Sequence, residues 1–221
     1  MPVFSKIKRI DFLKGLLLAL LVVLCFTSCF KSLTQLLVIY ENNFDDYDQK
    51  GIKTYAYVAG GQVNDIKIVK FNGNPVLGTF NNASIEISLP NLPEHTAISV
   101  SFDLFIHDMW RNDLWKFTFD GNDYRLTGFS NDPTVQQSYP NPIGNGSALS
   151  PAMTGTANNN LPGACALATS AHGTSMYKIE QTILHSGSSF VFSCSDAGSY
   201  AYQTCNRTWS IDNLKITMIK N

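Results

Sequence analysis

The feature that most constrains this chain is an alternation of apolar and polar side chains that recurs along it. In SIEISL, Ile85, Ile87 and Leu89 share one face; in AISVSFDLFI, Ile98, Val100, Phe102, Leu104 and Ile106 do the same, and WKFTF aligns Trp115, Phe117 and Phe119. A period of two sets one face of a strand on a core and turns the other toward solvent. Runs of this kind, rich in β-branched and aromatic residues, predict strands over 37–44, 66–71, 84–89, 97–106, 115–119, 124–129, 177–184, 189–194 and 208–219. Past residue 28 no window holds a helical period for three turns, and no repeat is evident. An all-β antiparallel sandwich is the natural way to bury such faces.

The first 28 residues follow different rules. Lys6, Lys8, Arg9 and Lys14 make a basic start, followed by LKGLLLALLVVLCF over residues 13–26. That run is shorter than the roughly 20 residues needed to span a bilayer, and it has the length of a signal-peptide core. It ends in Phe26-Thr27-Ser28-Cys29. This ending resembles the lipobox of bacterial lipoproteins, in the looser form seen in Bacteroidetes, with Phe26 where Leu is usual. The resemblance implies cleavage before Cys29 and a lipid on its sulfur; acyl chains contribute about 0.8 kcal/mol per buried CH₂. No acid follows Cys29 directly, so the expected location is the outer membrane, with the bilayer as partner through acylated Cys29. The expected organisation is a signal peptide over 1–28, a lipidated tether over 29–36 and one domain over 37–221.

Once residues 1–28 are removed, 12 Lys and Arg stand against 16 Asp and Glu, a net charge of −4. A mildly acidic, charge-poor chain lacks the basic footprint that nucleic acid demands. Cys194 and Cys205 bracket a short segment between two predicted strands, so a disulfide between them is expected in an oxidising compartment, with Cys165 as the competing partner. No Cys/His spacing suggests zinc.

Residues 131–176 form a long polar loop that carries no Asp, Glu, Lys or Arg from 133 onward. A connection of that length without elements of its own is unusual in a compact domain. It is either a functional loop draped over the sandwich or a passive excursion. Its Tyr139, its several Asn side chains and its backbone amides suit an uncharged ligand such as a glycan.

The run LPNLPEHTAISVSFDLFIHDMWRNDLWKFTFDG, followed by FSN, QSYP, TILHS and TWSIDNLKI, is similar to a recurring jelly-roll domain of secreted bacterial proteins. Those domains belong broadly with concanavalin A-like lectins and glucanases. The resemblance covers about residues 41–219 and implies a jelly-roll β-sandwich; it assigns no activity. Met109-Trp110-Arg111 departs from the family's Ser-Trp-Asp, which puts a metal site in that loop in doubt.

Two oxygen-rich groups stand out. Glu41, Asp212 and Asn213 sit near the chain ends, and pairing of the terminal strands would gather them into a structural Ca²⁺ site, unless Asp212 and Asn213 instead bond neighbouring loop backbone. Asp108 and Asp113 flank Trp110, which its loop context would expose for stacking on a sugar ring; with Tyr139 they form the expected ligand-binding set. No catalytic residue is assigned. The chain past residue 28 has four glutamates, Glu41, Glu86, Glu94 and Glu180, and no Glu-x-Asp-x-x-Glu string of the laminarinase type. His95 and His185 read as buried or turn-capping residues, and Trp115 and Trp209 as core. The expected function is a non-catalytic, membrane-anchored binding module, with glycan as the ligand. The alternative is an accessory protein of an envelope complex that binds protein through the long loop, and a glycoside hydrolase ranks below both.

Overall fold

The computed structural model describes residues 34–58, 61–64, 67–144, 148–197 and 205–220. The expected signal peptide and Cys29 lie outside the described residues. Leu36–Lys220 form one compact unit.

Among the described residues the elements are strands: β1 (Gln35–Asn42), β2 (Lys53–Val58), β3 (Gly61–Asn64), β4 (Ile68–Phe71), β5 (Asn74–Phe80), β6 (Ala83–Pro90), β7 (Ala97–Asp108), β8 (Arg111–Phe119), β9 (Asn122–Ser130), β10 (Asn158–Leu161), β11 (Thr174–Leu184), β12 (Ser189–Asp196) and β13 (Arg207–Lys220). They form two sheets. The first runs β10-β11-β7-β13-β5-β4, with β1 also pairing β13; the second runs β3-β2-β6-β12-β8-β9. Neighbours such as β7 and β11, β7 and β13, or β8 and β12 are antiparallel. The chain is therefore the expected all-β sandwich.

The core sits between the sheets and is largely aromatic. Phe102 of β7 meets Trp115 and Phe117 of β8 and Phe192 of β12, with ring centroids 5.7–6.5 Å apart. Trp209 of β13 packs on Phe80 at 4.9 Å and on Trp115 at 6.0 Å. The alternating positions read from the sequence are the buried ones: Ile98, Val100, Phe102, Leu104 and Ile106 are each at most 3% exposed. Each such side chain contributes roughly 1.5–3 kcal/mol by leaving water. Trp115 and Trp209 are core residues, as expected.

The expected disulfide is corrected. Cys165 bonds to Cys205, and Cys194 is a buried free thiol. The reason is strand parity. On β12 the buried positions alternate as Phe190, Phe192 and Cys194, which turns Cys194 into the core and away from Cys205. Burial pushes its thiol well above the ordinary range.

The long loop is folded down rather than loose. Gln137 is fully buried and organises it. Its side-chain oxygen accepts from the Ser130 and Met153 amides and from the Tyr177 hydroxyl, while its nitrogen donates to the Tyr139 and Thr154 carbonyls. Further along, the loop contributes β10 and is stapled by the disulfide.

Candidate binding cleft

The outer face of the first sheet carries the candidate site. On β7 the residues between the core positions are Ser99, Ser101, Asp103, Phe105 and His107. Cross-strand register sets Met176 of β11 and Ser210 of β13 beside Phe105, and Lys178 and Asp212 beside Asp103. An exposed sheet face would be polar throughout, yet Phe105 and Met176 pack with Phe71, Val76 and Leu161 into a second, smaller apolar cluster. The β4–β5 hairpin makes this possible. Asn72 and Gly73 both have positive φ, the requirement of a tight two-residue hairpin turn. Phe71 then reaches over the sheet, edge-on to Phe105 at 5.7 Å and to His107 at 4.6 Å. Gly78 on β5 permits the close approach of β13, since a Cβ there would stand 2.6 Å from that of Ser210.

The result is a cleft of about 240 Å³. Its apolar floor is Phe71, Val76, Phe105, Leu161 and Met176, and its polar rim is Asn72, Asn74, Asn158, Asp103, Asp212 and Asn213. A bulge in β13 shapes the acidic end: two residues, Asn213 and Leu214, lie between partners that β7 separates by one. Bulges re-aim side chains. Here Asn213, at φ 52°, takes the left-handed conformation and turns its amide to Asp103, while Leu214 stays in the core.

The two carboxylates differ. Asp103 is engaged through both oxygens, by Lys178 Nζ at 3.0 Å and Asn213 Nδ2 at 2.9 Å. Asp212 accepts from the Asn213 amide at 2.7 Å. Burial, with Asp103 and Asp45 nearby, raises its carboxyl to about 6, against the opposing pull of that amide and of Lys178. Beneath the floor His107 is fully buried between Thr174 Oγ1 at 2.9 Å and Ser210 Oγ at 2.7 Å, and burial lowers it to about 3.

The terminal strands pair as expected, but the Glu41, Asp212, Asn213 set does not close around one point. Glu41 lies 3.4 Å from Lys215 Nζ and lines a separate, wider cleft of about 490 Å³ with Lys50 and Ser101; Asp212 faces the first cleft, and Asn213 borders both. Among the described residues no three His, Cys, Asp or Glu side chains gather to hold a metal ion.

The second expected set is turned inward. Trp110 is buried rather than exposed, its indole donating to the Thr208 carbonyl at 2.9 Å, with Arg207 over its ring at 5.4 Å. Asp108 is buried and accepts from the Cys165 and Leu167 amides, which ties down the long loop. Burial raises its carboxyl, and those amides counter the shift. Asp113 pairs with Arg207 at 2.7 Å. Tyr139 stacks on Phe129 at 4.8 Å. The motif that looked like a ligand loop is a scaffold: the departure to Met109-Trp110-Arg111 surrounds a buried indole. His95 and His185 clasp turns, as expected. His95 bonds to the Pro93 carbonyl at 2.6 Å and to His185 at 2.7 Å, and His185 reaches Asp120 at 3.2 Å.

Most of the cleft was missed in the sequence, yet two signals were present. Asn72-Gly73, directly after the run ending at Phe71, marks the β4–β5 hairpin, and Phe105 interrupts the polar side of an otherwise regular alternation.

Compared against protein-family models and curated proteins, the chain matches none. Among solved structures it is similar to a family 35 carbohydrate binding module from Clostridium thermocellum, at 10% identity and TM-score 0.35, covering 82% of this chain and 97% of that one. It is also similar to the CBM35 from Cellvibrio japonicus Abf62, at 10% identity and TM-score 0.33, covering 85% and 98%. A third is the K3 cleaved adhesin domain of Lys-gingipain from Porphyromonas gingivalis w83, at 9% identity and TM-score 0.40, covering 82% and 99%. Likeness this remote carries no argument about the site or its ligand.

Proposed function

We propose that the protein is a non-catalytic glycan-binding module, anchored to a bacterial outer membrane by lipid on Cys29, and that the cleft over Phe105 is its ligand site. The observation that carries this reading is the composition of that cleft. The partly exposed Phe105 and Met176, backed by the buried Phe71, offer a surface for the C–H face of a sugar, and four Asn side chains at the rim offer donors and acceptors for hydroxyls. Glycoside hydrolysis calls for two carboxylates that flank the bond. Here Asp103 and Asp212 stand side by side on adjacent strands, and Asp103 already holds Lys178 and Asn213. That arrangement supports binding over cleavage. The reading is tested by a glycan array and calorimetry on the purified chain. Phe105→Ala is expected to weaken binding by about threefold to tenfold, given about 0.5–1.5 kcal/mol for an aromatic contact. Absence of any glycan binding by the wild type would sink the reading.

A further inference from the structure

Resting on the reading of the cleft as a saccharide site, we propose that its ligands are saccharides bearing a free amino group, with the ammonium seated against the Asp212 carboxylate. Asp212 and Asp103 are direct cross-strand partners on the same face. Like charges so placed repel. Asp45, from the β1–β2 connection, adds a third negative group to the field at Asp212, and the opposing cation is Lys178. Lys178 is bound to Asp103, and its side chain is 70% exposed, so solvent screens much of its influence. The remaining polar lining consists of the neutral amides Asn72, Asn74, Asn158 and Asn213. The acidic end of the cleft therefore holds negative charge that its own residues leave incompletely balanced.

Each class of sugar meets this differently. A uronic acid brings a further negative charge and is disfavoured. A neutral sugar covers the half-buried carboxylate, strips part of its water and returns only neutral hydrogen bonds. An ammonium supplies both the compensating charge and donors to the carboxylate, and hydrogen bonds to charged partners are about twice as strong as neutral ones. The apolar floor beside Asp212 keeps the ring in place while the amine points to the acidic end.

The test is calorimetry on the full chain in detergent with three probes of equal length: glucosamine oligomers, their fully N-acetylated counterparts and glucuronate-containing oligomers, at a pH where the amine is charged. The expected result is a preference of about tenfold to a hundredfold for the free amine over the acetylated form, following the strength of a charged hydrogen bond. The preference should shrink as salt rises, and glucuronate oligomers should bind weakest. Asp212→Asn should remove the preference, so that free and acetylated oligomers bind the variant equally, and circular dichroism checks that the variant is folded. Equal binding of free and acetylated oligomers, with or without calcium, overturns the proposal and leaves the glycan reading standing. A preference that survives in Asp212→Asn also overturns it. No binding by any oligomer, together with a silent glycan array, overturns the glycan reading itself and this proposal with it.

Discussion

At neutral pH the half-buried Asp212 carboxylate faces Asp103 across the β7–β13 ladder, and folding works against that charge. Its carboxyl is raised to about 6 in the folded chain from an ordinary value of 3.8. Its contribution to stability is thus fully present below about pH 4 and is lost as pH rises through about 6. His107 runs the other way: it is depressed to about 3, so its contribution is present above its ordinary value of 6.5 and lost as pH falls toward 3. The two oppose each other over one window. Asp212→Asn should therefore stabilise the chain by about 1–2 kcal/mol at pH 7.5, after allowance for solvent screening, and by little at pH 4. Urea denaturation of both proteins across that range should also show a steeper loss on acidification in the variant, where His107 acts unopposed. A further residue-scale test concerns Gln137. Removing its amide with Gln137→Ala takes away the acceptor of the buried Ser130 amide and should cost about 1–3 kcal/mol in the same assay.

Among the elements, the disulfide has the clearest consequence. Cys165 and Cys205 are 40 residues apart in sequence, and a crosslink of that span restricts the unfolded chain by roughly 4 kcal/mol in the chain-entropy account. Cys165→Ser should lower thermal stability accordingly, checked by scanning calorimetry. Cys194, by contrast, should react with a thiol reagent only after denaturation. How legible these elements were depended on what decides each of them. Strands β6, β7, β8 and β12 carry a regular alternation because one face lies on the core, and their positions follow from the sequence. Strands β2, β3, β5 and β10 were missed. β5 contains Pro75 and Gly78, which depress strand propensity although Gly78 is what allows the close packing on β13, and β10 is Asn-Asn-Asn-Leu, held by β11 rather than by any preference of its own. For the cleft, Asp212 and Asn213 could be singled out from their place in the last strand. Their neighbours depend on Phe71 crossing two strands, a tertiary event without a local trace. The Trp110 loop misled for the opposite reason: a polar, aromatic sequence looked like a recognition loop, and the buried Asp108 and Arg207 show it to be internal support.

For the molecule as a whole, the proposed anchor and the proposed site make separable demands. Cys29→Ala should abolish palmitate labelling and release the protein from membranes, while affinity for glycan measured on the released protein stays unchanged. Labelling that persists in the variant would refute the anchor without touching the cleft. One architectural detail then bears on how such a chain is made. β13, which sits between β7 and β5 at the centre of its sheet, is the last strand in the sequence. Until it is synthesised, β7 and β5 have no common neighbour, the Trp209 side of the core is missing, and Cys165 has no Cys205 to meet. Sheets completed by such distant partners form slowly. The first sheet therefore closes only when β13 arrives, and the Cys165–Cys205 disulfide can form only from that step onward.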